Sequence, residues 1–204
     1  VGAGEGQGLI QLLALASLRG LIVRGPMIGK QHAYVLVRDW LGEQPAVDRD
    51  AALAELARRY LAGHGPADER DLAKWAGIGL RDARAGFETI ASEVVEVGHG
   101  AMVPAKGTGR AARRRPALPP PRLLGAFDPV LLGWASRDDV VGPHGDAVAV
   151  GGIFRSFALV GGRAVATWSL AGGEVALEPL EPIAPEDRAA LDAEALDVRR
   201  FLGL

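Results

Sequence analysis

The sequence predicts an α+β fold of tandem winged helix-turn-helix modules followed by a β-rich domain with a C-terminal helix. Three observations lead to it. Ala51–Pro104 reads as helix, helix, glycine turn, helix and hairpin, the order of a complete winged helix-turn-helix. Leu9–Val37 repeats the last helix and hairpin of that order. Beyond Arg122 the pattern changes to short β-prone runs separated by Gly-Gly turns. The expected organisation is residues 1–45 as the C-terminal part of a truncated winged helix, 46–105 as a complete one, 106–122 as a linker and 123–204 as the β-rich domain.

Val1–Gly8 is a glycine-alternating tail without core-forming content. Leu9–Arg19 places Leu9, Leu12, Leu13 and Ala16 on one helical face and ends at Gly20. Leu21–Arg24 and Tyr34–Val37 read as strands around a turn with Gly25-Pro26 and Gly29-Lys30. With no first two helices before this helix and hairpin, the chain is expected to begin inside a domain. In the next module Ala51–Leu61 repeats apolar residues at helical spacing (Leu53, Leu56, Ala57, Tyr60, Leu61) and stops at Gly63, Gly65 and Pro66. Asp68 is placed to cap a short helix, with Glu69 and Asp71 in its first turn and Leu72, Trp75 and Ala76 on one side. Gly77-Ile78-Gly79 is a turn. A third helix then turns Leu80, Ala83, Phe87 and Ile90 inward and Arg81, Arg84, Ala85 and Glu88 outward. Trp75 and Phe87 are the expected buried anchors where these two helices cross. Glu93–Val97, Gly98-His99-Gly100 and Ala101–Pro104 form strand, turn and strand.

Lys106–Arg122 holds Lys106, Arg110, Arg113, Arg114, Arg115 and Arg122, no acidic residue, and Pro116, Pro119, Pro120 and Pro121. The prolines exclude a regular helix or strand. The segment reads either as a solvated spacer or as an arm reaching for phosphates. After it, Leu123–Phe127, Val130–Trp134, Ala147–Val150, Ile153–Val160, Arg163–Leu170 and Glu174–Leu180 are expected strands. Gly161-Gly162 and Gly172-Gly173 are turns, and Pro185 opens a closing helix with Leu191, Ala195, Val198, Phe201 and Leu202 on one side.

Composition narrows the function classes. The chain has 204 residues, 49% of them hydrophobic, and a formal net charge of −2, so any nucleic-acid contact rests on local rather than global charge. There is no cysteine, hence no disulfide framework and no thiolate metal site. The four histidines, His32, His64, His99 and His144, are scattered among turns and read as loop residues, so no metal site and no cofactor are expected. No apolar run reaches membrane-spanning length, and Ile10–Leu18 lacks the flanks of a signal peptide; a reducing bacterial cytoplasm is the expected location. Gly25–Gln31 imitates a phosphate-binding loop, but it is one residue short, carries Gln31 at the magnesium-binding position and sits in a hairpin. No nucleotide cofactor is expected. Asp128, Arg137, Asp138 and Asp139 read as a turn and a structural ion pair.

RRYLAGHGPADERDLAKWAGI (Arg58–Ile78), LLGAFDPVLLGWASRDDVV (Leu123–Val141) and GGRAVATWSL (Gly161–Leu170) together resemble the bacterial winged-helix proteins related to the AlkZ/YcaQ DNA glycosylases. The resemblance covers nearly the whole chain from about Leu9. It implies tandem winged-helix modules that form a concave surface for double-stranded DNA. It also implies a Gln-x-Gln or Gln-x-Asp pair that carries hydrolysis of the N-glycosidic bond of alkylated or crosslinked bases. Gln7, Gln11, Gln31 and Gln44 are followed two positions later by Leu9, Leu13, Ala33 and Ala46. No catalytic residue is therefore carried over. The expected DNA-binding residues are Arg81, Arg84, Thr89, His99, Lys106, Arg110, Arg113, Arg114 and Arg115. Three readings stand at this point: the DNA-binding, non-catalytic portion of a glycosylase-like repair protein; a glycosylase whose active site lies upstream; and a protein-interaction module.

Overall fold

The computed structural model describes residues 6–106 and 118–204. The predicted contacts at Arg110, Arg113, Arg114 and Arg115 lie outside the described residues. The chain divides into two compact units, Val1–Asp48 and Arg49–Leu204.

In the first unit, helix α1 (Gln7–Leu18) precedes the antiparallel strands β1 (Ile22–Ile28) and β2 (Gln31–Leu36) and a short helix α2 (Val37–Leu41). Gly29, at φ 62, allows the two-residue turn that sets Ile28 opposite Gln31. Gly25-Pro26 falls where the register shifts between Arg24 and Met27, because proline cannot donate to a ladder. None of the described residues of this unit is buried.

The second unit opens with α3 (Arg49–His64), α4 (Glu69–Ala76) and α5 (Leu80–Thr89), followed by the hairpin β3 (Val94–Gly98) and β4 (Ala101–Pro104). Asp68 caps α4 reciprocally: its carboxylate accepts from the Arg70 and Asp71 amides while Asp71 accepts from the Asp68 amide. Gly77 ends α4 in the left-handed region. Ala54, Ala57, Tyr60, Leu61, Leu72, Ala83, Phe87 and Ile90 form the core between these helices. Gly86 lets α5 cross α3 at close range, since a Cβ there would stand 2.7 Å from the Leu53 carbonyl oxygen. Phe87 is buried as expected, but Trp75 is 43% exposed. Trp75 lies over the outer edge of the core, against the rings of Tyr60 and His64 at 5.2 Å from each, rather than between the helices.

The rest of this unit is built on a four-stranded antiparallel sheet ordered β10-β9-β8-β5, from β5 (Arg122–Leu124), β8 (Phe157–Val160), β9 (Arg163–Ala171) and β10 (Glu174–Pro179). Strands β6 (Ala149–Val150) and β7 (Ile153–Phe154) pair separately. One apolar cluster joins Leu123, Val165 and Trp168 to Leu191, Ala195 and Val198 of the closing helix α9 (Pro185–Leu202). A second joins Phe157 and Ala164 to α6 (Pro129–Leu132), α7 (Asp138–Val141) and α8 (Gly145–Val148).

Four expectations change here. Val130–Trp134 is not a strand: Asp128 caps α6 by accepting from the Val130 amide, and Pro129 occupies the first helical turn. Ala147 lies in α8 rather than in a strand. Phe201 (88%) and Leu202 (49%) are exposed, because the packed face of α9 ends near Val198. Arg137 takes no acidic partner among the described residues; its Nε donates to the Leu131 carbonyl at 2.7 Å and its guanidinium lies 5.0 Å from the Phe154 ring centroid.

Candidate nucleic-acid interface

The amphipathic phase of α5 determines which side chains it can offer. Ala83, Gly86 and Phe87 face the core, which turns Arg81, Arg84 and Glu88 outward. Arg81 is the freer of the two arginines, its side chain 93% exposed and 3.7 Å from Asp82. Asp82 is itself held by Arg49 at 2.6 Å, so the carboxylate nearest Arg81 already has a shorter cationic partner. Arg84 donates to Glu69 of α4 at 3.4 Å. At the end of α5 the exposed Thr89 hydroxyl donates to the Ala85 carbonyl and keeps its lone pairs for a further donor.

The β3–β4 hairpin carries His99 at its tip, at a left-handed φ of 51 between Gly98 and Gly100. The Gly100 amide donates to Glu96, which fixes the turn and leaves the imidazole exposed. Lys106 follows β4 and is exposed. The structure thus describes five of the predicted DNA-binding residues: Arg81, Arg84 and Thr89 on one helix, His99 at the hairpin tip and Lys106 just beyond it.

Lys106 borders an apolar groove of about 440 Å³ between α3 and the hairpin, where Leu61, Ile90, Val94 and Pro104 form much of the wall. Arg58 crosses its rim to grip Glu93 through Nε at 2.7 Å and through a terminal nitrogen at 2.8 Å. This two-pronged contact, aided by the charges of Arg58 and Lys106, holds the Glu93 carboxyl below its usual range, and the bond to Glu93, with Glu55 beside it, raises the Arg58 guanidinium further above its own. Glu55, bonded by Arg59 and then Arg58, is lowered likewise. The sequence reading missed Arg58, Glu93 and Arg49 because their partners stand tens of residues away in the chain, where no local signal marks them.

A second junction ties the helices to the segment around α6. The buried Tyr60 hydroxyl donates to the Gly133 carbonyl at 2.6 Å, Trp134 Nε1 donates to the His64 carbonyl at 3.0 Å, and Asp71 accepts from the Ala135 amide. Burial, then the Asp71 and Asp68 charges, raise the Tyr60 hydroxyl well above its ordinary ionisation range. Among the described residues no group of three His, Cys, Asp or Glu side chains could hold a metal ion, and no helix is long and apolar enough to cross a membrane.

The family model described as DNA glycosylase AlkZ-like matches residues 3–201. An interstrand DNA cross-link repair glycosylase of Streptomyces sahachiroi is 28% identical over 200 residues, a match covering 91% of this chain and 53% of that protein. The chain thus spans about half the length of this curated relative. The solved structure of the Streptomyces sahachiroi DNA glycosylase AlkZ superposes with a TM-score of 0.79 at 22% identity, over 98% of this chain and 59% of that one, which shows a shared mixed α and β fold. With nearly its full length matched, the chain belongs to the DNA glycosylase AlkZ-like family.

Proposed function

We propose that this chain binds double-stranded DNA through winged helix-turn-helix modules, as the non-catalytic portion of a glycosylase-type repair protein. The observation that carries the proposal is the outward face of α5, where Arg81 projects into solvent, on a helix followed in the chain by a hairpin tipped by His99, in a member of a DNA glycosylase family. In this reading α5 is the recognition helix, β3–β4 is the wing, and Arg110–Arg115 add charge along the strand. Each phosphate neutralised by an arginine releases condensed counterions, so binding weakens steeply with salt. The test is duplex affinity by fluorescence anisotropy over a salt series. Replacing Arg81 and Arg84 together with Ala should weaken binding about equally for all sequences and flatten the logarithmic salt slope by about 0.9 for each lost contact. An unchanged slope and affinity would remove α5 from the interface.

The non-catalytic part of the proposal rests on side chains. Asp128 is engaged as a helix cap, and Asp139 is an exposed residue in the first turn of α7. The glutamines lack the Gln-x-Gln or Gln-x-Asp spacing that the family resemblance implies for hydrolysis. Single-turnover incubation of excess chain with alkylated duplex should yield no abasic sites above a no-protein control. Base release that disappears on Asp128→Asn or Asp139→Asn would overturn this. A second reading, base excision by a longer protein carrying this segment, is favoured by the span of about half of a relative named as a glycosylase.

A further inference from the structure

The turn that joins β5 to α6 holds an aromatic side chain in a conformation it rarely takes. Phe127 has a φ of 60, in the left-handed region, and with His99 it is one of two such non-glycine residues among those described. A glycine or an asparagine would make this turn at lower cost. Burial does not offset the strain, because Phe127 is 55% exposed. One part of the ring packs on Phe154, with centroids 5.1 Å apart and planes tilted by 57°, and the rest is open to solvent. A strained aromatic that is left mostly uncovered points to a contact made outside the folded chain.

The turn is pinned on both sides of this residue. Before it, the Leu124 carbonyl accepts from Trp168 Nε1 at 2.8 Å and the Ala126 amide donates to the Ser156 hydroxyl at 3.2 Å. After it, Asp128 accepts from the Val130 amide at 2.9 Å as the cap of α6. Phe127 is therefore presented in a fixed position, and a ligand that meets it has little loop to order. The ring beneath it is fixed too: the Arg137 guanidinium lies 5.0 Å from the Phe154 centroid, with its Nε on the Leu131 carbonyl. Arg155 follows Phe154, is exposed, and lines the same shallow cleft as Ala126 and Phe154. Neither arginine has an acidic partner among the described residues. Glu178, the acid that lines this cleft, stands across the sheet on β10 and accepts from Thr167.

We propose that Phe127 is a stacking platform for an unpaired base of a DNA strand, with Arg155 beside it for a phosphate of the same strand. Every base has a flat π-face that can cover an aromatic ring, so the platform selects unpaired bases without selecting among them. Arginine is a matching partner for the phosphate. An aliphatic partner would cover the ring but draw nothing from the cation next to it. The proposal rests on the DNA-binding reading for the source of the base, but it is tested on single strands, which do not require α5 to engage a duplex groove.

The experiment is titration of the full chain, with labelled phenylalanine, against pentathymidylate and against an abasic pentamer of the same sugar-phosphate backbone. The Phe127 ring protons should move upfield and saturate with pentathymidylate, which should bind about tenfold more tightly than the abasic strand. Phe127→Tyr should keep that preference and Phe127→Leu should abolish it, whereas Arg155→Ala should weaken both pentamers alike. Phe127→Gly should withstand more urea than Phe127→Ala, because both lose the ring and only glycine escapes the left-handed penalty. Equal binding of the two pentamers by the unaltered chain, or a preference that survives Phe127→Leu, overturns the platform. Equal stability of the Gly and Ala variants removes the strain on which it is argued. Phe127→Leu should leave the duplex salt slope unchanged, and the double substitution at Arg81 and Arg84 should leave the preference for bases unchanged. Loss of duplex binding with a retained base preference would count against the proposed function alone, and the reverse against this platform alone.

Discussion

Replacing Tyr60 with Phe removes one oxygen from the junction between α3 and the segment around α6. The Tyr60 ring is 1% exposed and stacks on His64 at 4.8 Å, contacts that Phe keeps. What is lost is a 2.6 Å hydrogen bond, which leaves the Gly133 carbonyl without that donor. Breaking a buried bond by deleting one partner costs about 1–3 kcal/mol, a noticeable share of a domain's total stability of roughly 5–15 kcal/mol. Urea unfolding followed by circular dichroism should show a lower midpoint with an unchanged slope. The same residue makes an alkaline prediction. Its hydroxyl ionises above the ordinary 10.0 in the folded chain because burial, with Asp71 and then Asp68, opposes the charge. Above that ordinary value the unfolded chain binds fewer protons than the folded one, so this contribution is full below pH 10.0 and falls as pH rises. The Phe variant has no such group, so its deficit should narrow with rising alkalinity. An unchanged midpoint at neutral pH, or a deficit that stays constant through the alkaline range, would refute the assignment.

Two glycines on helices should respond with opposite signs. Gly86→Ala drives a methyl against the Leu53 carbonyl at 2.7 Å, and the overpacking cost of roughly 1–3 kcal/mol outweighs the gain in helix propensity, so the urea midpoint should fall. Gly63→Ala in α3 meets nothing within 4 Å and should stabilise by about 0.5–1 kcal/mol in the same assay. At the groove beside α3, Arg58→Ala should return the Glu93 carboxyl upward towards its ordinary value of 4.5, read by carbon-detected NMR titration. Because the pair is at the surface, the unfolding midpoint at neutral pH should move little.

Local chemistry made the first half of the second unit legible. Apolar spacing in Leu53–Leu61 and Leu80–Ile90, the Asp68 cap and the Gly77 stop each act within one or two turns, and all appear in the structure. Val130–Trp134 failed because a short apolar run fits a strand or a buried helical turn equally well. The deciding signal, Asp128-Pro129 as cap and first helical position, was present and was read only as a turn. Trp75 failed for another reason. Helical phase gives the side a residue faces, but not whether the neighbouring helix extends far enough to cover an indole.

The candidate interface was legible as a set of side chains but not as a charge distribution. Outward phase was enough to select Arg81 and Arg84. Which of them is free depends on tertiary pairs: Arg49 with Asp82 across 33 positions, and Glu69 with Arg84 across 15. Those pairs make the two arginines unequal. A phosphate reaching Arg81 displaces a 3.7 Å contact to a carboxylate already held by Arg49, whereas one reaching Arg84 competes with Glu69. Counterion release then separates them. Loss of Arg81 alone should account for most of the change in salt slope seen in the double variant if the Glu69 pair survives binding. Removing Glu69 should add a second unit of slope by freeing Arg84. A slope that is indifferent to Glu69 would place the phosphate path away from the α4 side of α5.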